Sequence, residues 1–158
     1  MKSKRRKIKR NVTQAAGGIV TRHSRRPLIA VVQRRKDKTW VLPKGKLKRH
    51  ENAMTAARRE VVEETGSSVT VGRFLGAVSY RAGGKPKVVR FWQMRAGRGE
   101  PHAPMRDIRA VDWLPLKKAV ARLSDPLERV FLREIGRQSL RARRRLAASK
   151  RKKRLRGR

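Results

Sequence analysis

The chain contains no cysteine, which excludes a disulfide framework and thiolate chemistry. No apolar run approaches the roughly 18 residues of a membrane span. The basic N-terminus is not followed by the apolar segment of a secretory signal. Together these absences predict a cytoplasmic protein. Carboxylates are scarce as well: eleven acidic residues stand against forty-six basic ones, for a net charge of +35. Residues 1–10 carry seven Lys/Arg and no acid, and residues 137–158 carry twelve and no acid. Runs of like charge at this density stay disordered or form a solvated helix. The hydrophobic fraction, 37%, is low, yet 158 residues suffice for one domain with its own core. The expected organisation is a basic arm over 1–10, a domain over 11–140 and a basic tail over 141–158.

Four of the eleven acids fall in one stretch, Trp40 to Ser67: Glu51, Glu60, Glu63 and Glu64. Helix residues three and four apart are neighbours, so Glu60, Glu63 and Glu64 share a face. Carboxylates crowded in this way repel one another unless a cation joins them. An oxygen-rich set suits a hard divalent ion, Mg2+ above all, with Mn2+ as a substitute. An acidic helix face with no metal is the alternative reading of the glutamates taken alone. Asn52 is a good N-cap and Gly66 a good residue to end the helix. Pro43, Lys44 and Gly45 read as a tight polar loop ahead of it.

The longer pattern is more specific. Gly45, Glu51, then Arg59-Glu60-Val61, Glu63-Glu64 and Gly66, at these spacings, resemble the Nudix box of MutT-like hydrolases. The last position of that box is usually aliphatic, and Ser67 stands there. WVLPKGKL resembles the PKG entry of diadenosine polyphosphate hydrolases, of the related diphosphoinositol polyphosphate phosphohydrolases and of some MutT-like enzymes, while RAGRGEP and AVDWLPLKKAVARL are similar to the later part of the bacterial diadenosine polyphosphate hydrolases. In that branch a proline-glycine pair precedes the first glutamate, where this chain has Arg49-His50. The resemblance implies an α/β/α sandwich. It also implies metal at Glu60, Glu63, Glu64 and the backbone carbonyl of Lys44, with Arg59 orienting the glutamates and Glu51 in support. A further acid outside the box often completes such a set; Asp107 is the candidate here and Glu100 the second.

The remaining pattern agrees with a mixed sheet between helices. Strands are predicted over 12–21, with a close backbone approach at Gly17-Gly18, and over 28–33, 40–42, 69–80, 87–95 and 108–114. Gly83-Gly84 signals a hairpin turn, and a short helix is expected over 116–123. Ser124 is expected to cap a last helix from Pro126, with Leu127, Val130, Phe131 and Ile135 facing the core. Lys44, Gly45 and Lys46 are expected to hold phosphates, and Tyr80 to stack a base. Trp92 reads as strand core, and His23, His50 and His102 as ordinary surface residues.

Two function classes follow. One is Mg2+-dependent hydrolysis of a phosphoanhydride in a small polyphosphate, such as a diadenosine polyphosphate or a diphosphoinositol phosphate. The other gives the basic ends to nucleic acid, as an RNA 5′-end pyrophosphohydrolase or a binding module. The ends lack interleaved aromatics, so they predict salt-sensitive, sequence-blind binding. Hydrolysis of oxidised nucleoside triphosphates is a third possibility.

Overall fold

The computed structural model describes residues 11–22 and 24–156. The expected arm over 1–10 and His23 lie outside the described residues. In chain order the elements are β1 (Thr13–Arg22), β2 (Leu28–Arg34), β3 (Trp40–Val41), β4 (Lys44–Lys46), α1 (Ala53–Thr65), β5 (Val69–Ala82), β6 (Lys85–Ala96), β7 (Ile108–Leu114), α2 (Leu116–Arg122) and α3 (Pro126–Arg156).

The sheet is mixed and is organised around β1. β1 runs parallel to β6 and antiparallel to β2 and β4. It meets β2 at Thr21 and Arg22, and β4 at Ala15 to Gly17. β3 pairs with β2, so the segment Trp40–Lys46 passes from one neighbour to the other. β7 pairs with β2, and β5 with β6. β5 is continuous, with register shifts against β6 between Val71 and Phe74 and between Phe74 and Gly76.

Alternation along the strands gives the sheet two apolar faces. Ala16, Val20, Ala30 and Met94 pack with Ala56, Ala57 and Val61 of α1. Ala15, Ile19, Val31, Val89 and Phe91 pack with Ala119 and Val120 of α2, Leu123 just after it, and Leu132 of α3. The result is the expected α/β/α sandwich. The small residues of α1 allow a close approach: Ala56 and Ala57 are fully buried. A Cβ at Gly17 would come within 2.2 Å of the Pro43 carbonyl oxygen. Only glycine lets β1 and the Pro43–Lys44 backbone cross so closely, as predicted for that glycine pair.

Three local expectations are corrected. Lys44–Lys46 is not a loop but strand β4, because pairing with β1 satisfies its backbone. The cap of α3 is Asp125, whose carboxylate accepts from Leu127 N at 2.7 Å and Glu128 N at 3.2 Å. Ser124 is engaged elsewhere, its Oγ accepting from Trp40 N at 2.9 Å. The buried stripe of α3 is also rotated from the expected one. Leu127 and Val130 are exposed, while Glu128, Leu132 and Ile135 are buried and Phe131 is partly buried. Replacing Asp125 by Ala is expected to cost about 1 kcal/mol, read as a shift in urea midpoint at unchanged slope.

α3 continues through the basic run to Arg156. No helix of the described residues is long and apolar enough to cross a membrane.

Candidate active site

The glutamates of α1 face the β1–β4 junction. Asn52 caps the helix, its side chain accepting from Thr55 N at 2.8 Å, and Gly66 ends it at φ 70°. This framing sets the rotation of the helix and so the direction of Glu60, Glu63 and Glu64. Gly45 on β4 lies directly beneath Glu60. A Cβ there would lie 2.1 Å from the carboxyl carbon of Glu60, so the bare backbone leaves Glu60 its room.

Arg59 gathers the acids. Its Nε and Nη2 donate to the two oxygens of Glu51 at 2.8 and 2.9 Å. Its Nη1 donates to Glu60 at 2.7 Å and to Glu63 at 3.2 Å, and Nη2 also reaches the Lys46 carbonyl at 3.2 Å. Glu51 accepts the Lys48 N–H as well, at 3.0 Å. The hydrogen bonds from Arg59, then that from Lys48, hold the Glu51 carboxyl down at about 2. Glu51 thus fixes Arg59 rather than offering itself as a base.

Glu64 is arranged differently. It accepts the backbone N–H of Lys44 at 3.0 Å and has no arginine partner. Burial pushes its pKa up to about 7, against the opposing pull of the Lys44 hydrogen bond and charge. A buried carboxylate with so little positive charge beside it is a strong attractor for a cation. Among the described residues no three acidic or histidine groups converge closely enough to enclose an ion in this conformation. The Arg59 guanidinium bridges Glu60 and Glu63 in this arrangement. The donors nevertheless fit a hard divalent ion chemically: three carboxylates on one face, one of them buried and almost unneutralised.

The other expected site residues divide. Lys44 points to the opposite face of β4, where its ammonium lies 2.6 Å from Glu128. It is therefore held by an acid and not free for phosphate in this conformation. Lys46 is exposed. Tyr80 is half-buried against the α2–α3 face of the sheet. Asp107 and Glu100 are exposed, and neither side chain joins the hydrogen-bonded glutamate cluster. Trp92 packs edge-on against Phe74 with ring centroids 5.1 Å apart, on the α1 side, a core role as expected.

Two residues escaped the sequence reading. Glu128 is 2% exposed; it accepts the Leu42 N–H at 2.9 Å in addition to its pair with Lys44. Its signal was its phase, three, four and seven positions before Phe131, Leu132 and Ile135, which puts a charge in the apolar stripe. Lys87 stands 5.7 Å over the Tyr80 ring. Burial lowers its pKa, and the positive charges of Lys44, Lys46 and Arg34 push the same way. Alternation with Val89 and Phe91 would have placed it on that face.

The comparisons agree on one family. A family model described as the NUDIX domain matches residues 12–135. An 8-oxo-(d)GTP phosphatase of Mycolicibacterium smegmatis is 36% identical over 116 residues, covering 73% of this chain and 36% of that protein. The chain spans only 36% to 55% of the length of such curated relatives. Among solved structures, an Ap4A hydrolase of C. elegans in a binary complex superposes with a TM-score of 0.74 at 22% identity, over 81% of this chain and 98% of that one. A MutT protein from Methanosarcina mazei gives 0.70 at 19% identity, over 84% and 98%. At these identities the structures speak to the fold.

Proposed function

Since the chain belongs to the NUDIX family, we propose that it is a divalent-metal-dependent hydrolase cleaving a phosphoanhydride bond of a nucleoside polyphosphate. The observation that carries this reading is the glutamate face of α1. Glu60 lies over Gly45, Glu64 accepts the Lys44 N–H, and Arg59, fastened by Glu51, holds Glu60 and Glu63. Glu60, Glu63, Glu64 and the Lys44 carbonyl would hold Mg2+ or Mn2+, and Asp107 remains the candidate from outside the helix. When bound, the ion supplies Lewis acidity toward phosphate oxygens and lowers the pKa of a water. Arg59 keeps the glutamates from spreading and sets their order. Glu64, or Glu60 beside it, takes the proton from the attacking water.

Lys87 over the Tyr80 ring, with the Lys46 charge acting on it, would form the cationic and aromatic flank of the site. Lys46 keeps the phosphate-holding role expected of it, Lys87 replaces Lys44 in that role, and Tyr80 offers an aromatic edge for a base. For the substrate, the relative named an 8-oxo-(d)GTP phosphatase favours a purine nucleoside triphosphate bearing an oxidised base. This ranks above the small-polyphosphate reading that the PKG segment suggested. The second reading, a dinucleoside polyphosphate, is favoured by the lysine cluster beside Tyr80, which suits a longer phosphate chain.

A panel with Mg2+ and product identification tests this: 8-oxo-dGTP, dGTP, diadenosine polyphosphates, diphosphoinositol phosphates and 5′-triphosphate RNA. Metal-dependent cleavage of a nucleotide anhydride is expected, with 8-oxo-dGTP preferred over dGTP. No cleavage of any anhydride would overturn the reading, and preference for another member would overturn the substrate. Gly45→Ala gives a separate check. The added methyl displaces the Glu60 carboxylate, so Mn2+ affinity should fall about 10- to 100-fold by calorimetry with the fold retained.

A further inference from the structure

The end of α3 from Ala148 to Leu155 has no packing partner among the described residues. Every described side chain from Ala148 to Leu155 is exposed. Eight successive residues cover all sides of a helix, so no face of this segment packs on the domain. Its charge is also unanswered: Lys150, Arg151, Lys152, Lys153 and Arg154 follow one another, and the last acid in the sequence is Glu134. Like charges three and four apart, such as Lys150 with Lys153 and Arg154, weaken an isolated helix. The arm therefore gains from any partner that supplies dense negative charge.

The distribution of the cations selects the partner. Successive residues are about 100° apart around a helix, so these five cations encircle it. An anionic membrane is a one-sided partner and calls for bulky apolar residues on the opposite face. From Arg137 to Arg156 the bulky apolar residues are Leu140, Leu146 and Leu155, which at about 100° per residue do not gather on one face. A groove walled by phosphates on both sides uses cations all round. The major groove of B-form DNA is about 12 Å wide and admits a helix, whereas that of an RNA duplex is deep and too narrow. From Arg137 to Arg156 the helix runs roughly 30 Å at 1.5 Å per residue, close to one turn of a DNA duplex.

We propose that the distal half of α3 is a DNA-binding arm that lies in the major groove of a duplex and contacts its phosphates without reading sequence. Residues 139–156 contain no Asn, Gln, Asp or Glu to read adenine or cytosine edges, and their arginines and lysines are spread around the helix rather than set on one base-facing side. The basic run thus does the work that the sequence assigned to nucleic acid, independently of the hydrolase site.

The test is fluorescence anisotropy on the whole chain with a labelled DNA duplex two turns long, an RNA duplex of the same sequence, and phosphatidylglycerol-containing vesicles. The wild-type chain should bind DNA more tightly than RNA, and affinity should fall steeply between about 50 and 200 mM salt. The variant with Lys150, Arg151, Lys152, Lys153 and Arg154 all replaced by Gln should lose about four from the slope of log affinity against log salt, at roughly 0.9 per phosphate contact. Its unfolding midpoint should match wild type, because these side chains touch no part of the core. An unchanged slope would overturn the proposal, as would RNA binding equal to or tighter than DNA, or a loss confined to the vesicles. The DNA–RNA comparison needs no variant.

Discussion

Glu64→Gln is expected to lower metal-dependent turnover by about a thousandfold, the effect of roughly 4 kcal/mol on the barrier. The amide is nearly isosteric with the carboxylate and still accepts the Lys44 N–H, so the fold should persist. It cannot bind a hard cation as strongly, nor take a proton from water. Steady-state kinetics with Mg2+ on the substrate that the panel identifies would check this, and wild-type-like turnover would remove Glu64 from the site.

The same substitution has a signature in stability. The pKa of Glu64 is raised in the fold from an ordinary 4.5 to about 7. Below pH 4.5 the group is protonated in both folded and unfolded chains, and its stabilising contribution is complete. As the pH rises from 4.5 through 7 the unfolded chain ionises first, and that contribution is lost. The loss is up to about 3 kcal/mol at 1.36 kcal/mol per unit. Metal-free wild type should therefore lose stability across this window, whereas Glu64→Gln should lack that component of the slope and be the more stable of the two at pH 8. Denaturant unfolding in EDTA at several pH values reads both effects.

Lys44→Met should destabilise the protein by about 3–5 kcal/mol, because it leaves the buried Glu128 carboxylate without its cation. That is the largest stability effect expected of any single change in the site. Adding Glu128→Gln should recover most of the loss, since the amide carries no charge and can still accept the Leu42 N–H. Urea unfolding of the two single variants and the double variant gives the coupling directly. A double variant no more stable than Lys44→Met would show that Glu128 is not the cause. The pair also fixes the backbone through which Lys44 meets Glu64. Lys44→Met should consequently slow turnover even under conditions where the protein stays folded.

The parts legible in the sequence are those set by local chemistry. Asn52 and Gly66 bound α1 through their own hydrogen bonding and backbone angle, and the runs at 28–33 and 108–114 are apolar enough to be strands alone. The glutamates could be placed together because helical spacing is local. What stayed hidden depends on contacts distant in sequence. Lys44–Lys46 becomes a strand only because β1 lies alongside. Ser124 loses the capping role to Asp125 because Trp40, far away in the chain, takes its hydroxyl. The phase of the α3 stripe is set by the surface beneath it, so Leu127 and Val130 turn outward although their spacing suits a core. Glu128 looked like one more charge on a basic chain, and its burial follows from a lysine more than eighty positions earlier.

The parallel pairing of β1 with β6 also governs when the protein can form. Thr13 opposes Lys87 and Thr21 opposes Arg95, partners more than seventy residues apart. Closing so long a loop is entropically costly and slow. At about 5–20 residues per second of synthesis, β1 waits several seconds on the ribosome before its partner is made. Through that interval one edge of the future central strand is unpaired, and its Ala15–Ile19 face stays uncovered because α2 and α3 come later still in the chain. The fold is therefore most vulnerable to aggregation before β6 emerges, and slower translation ahead of Lys85 should lower the yield of native protein.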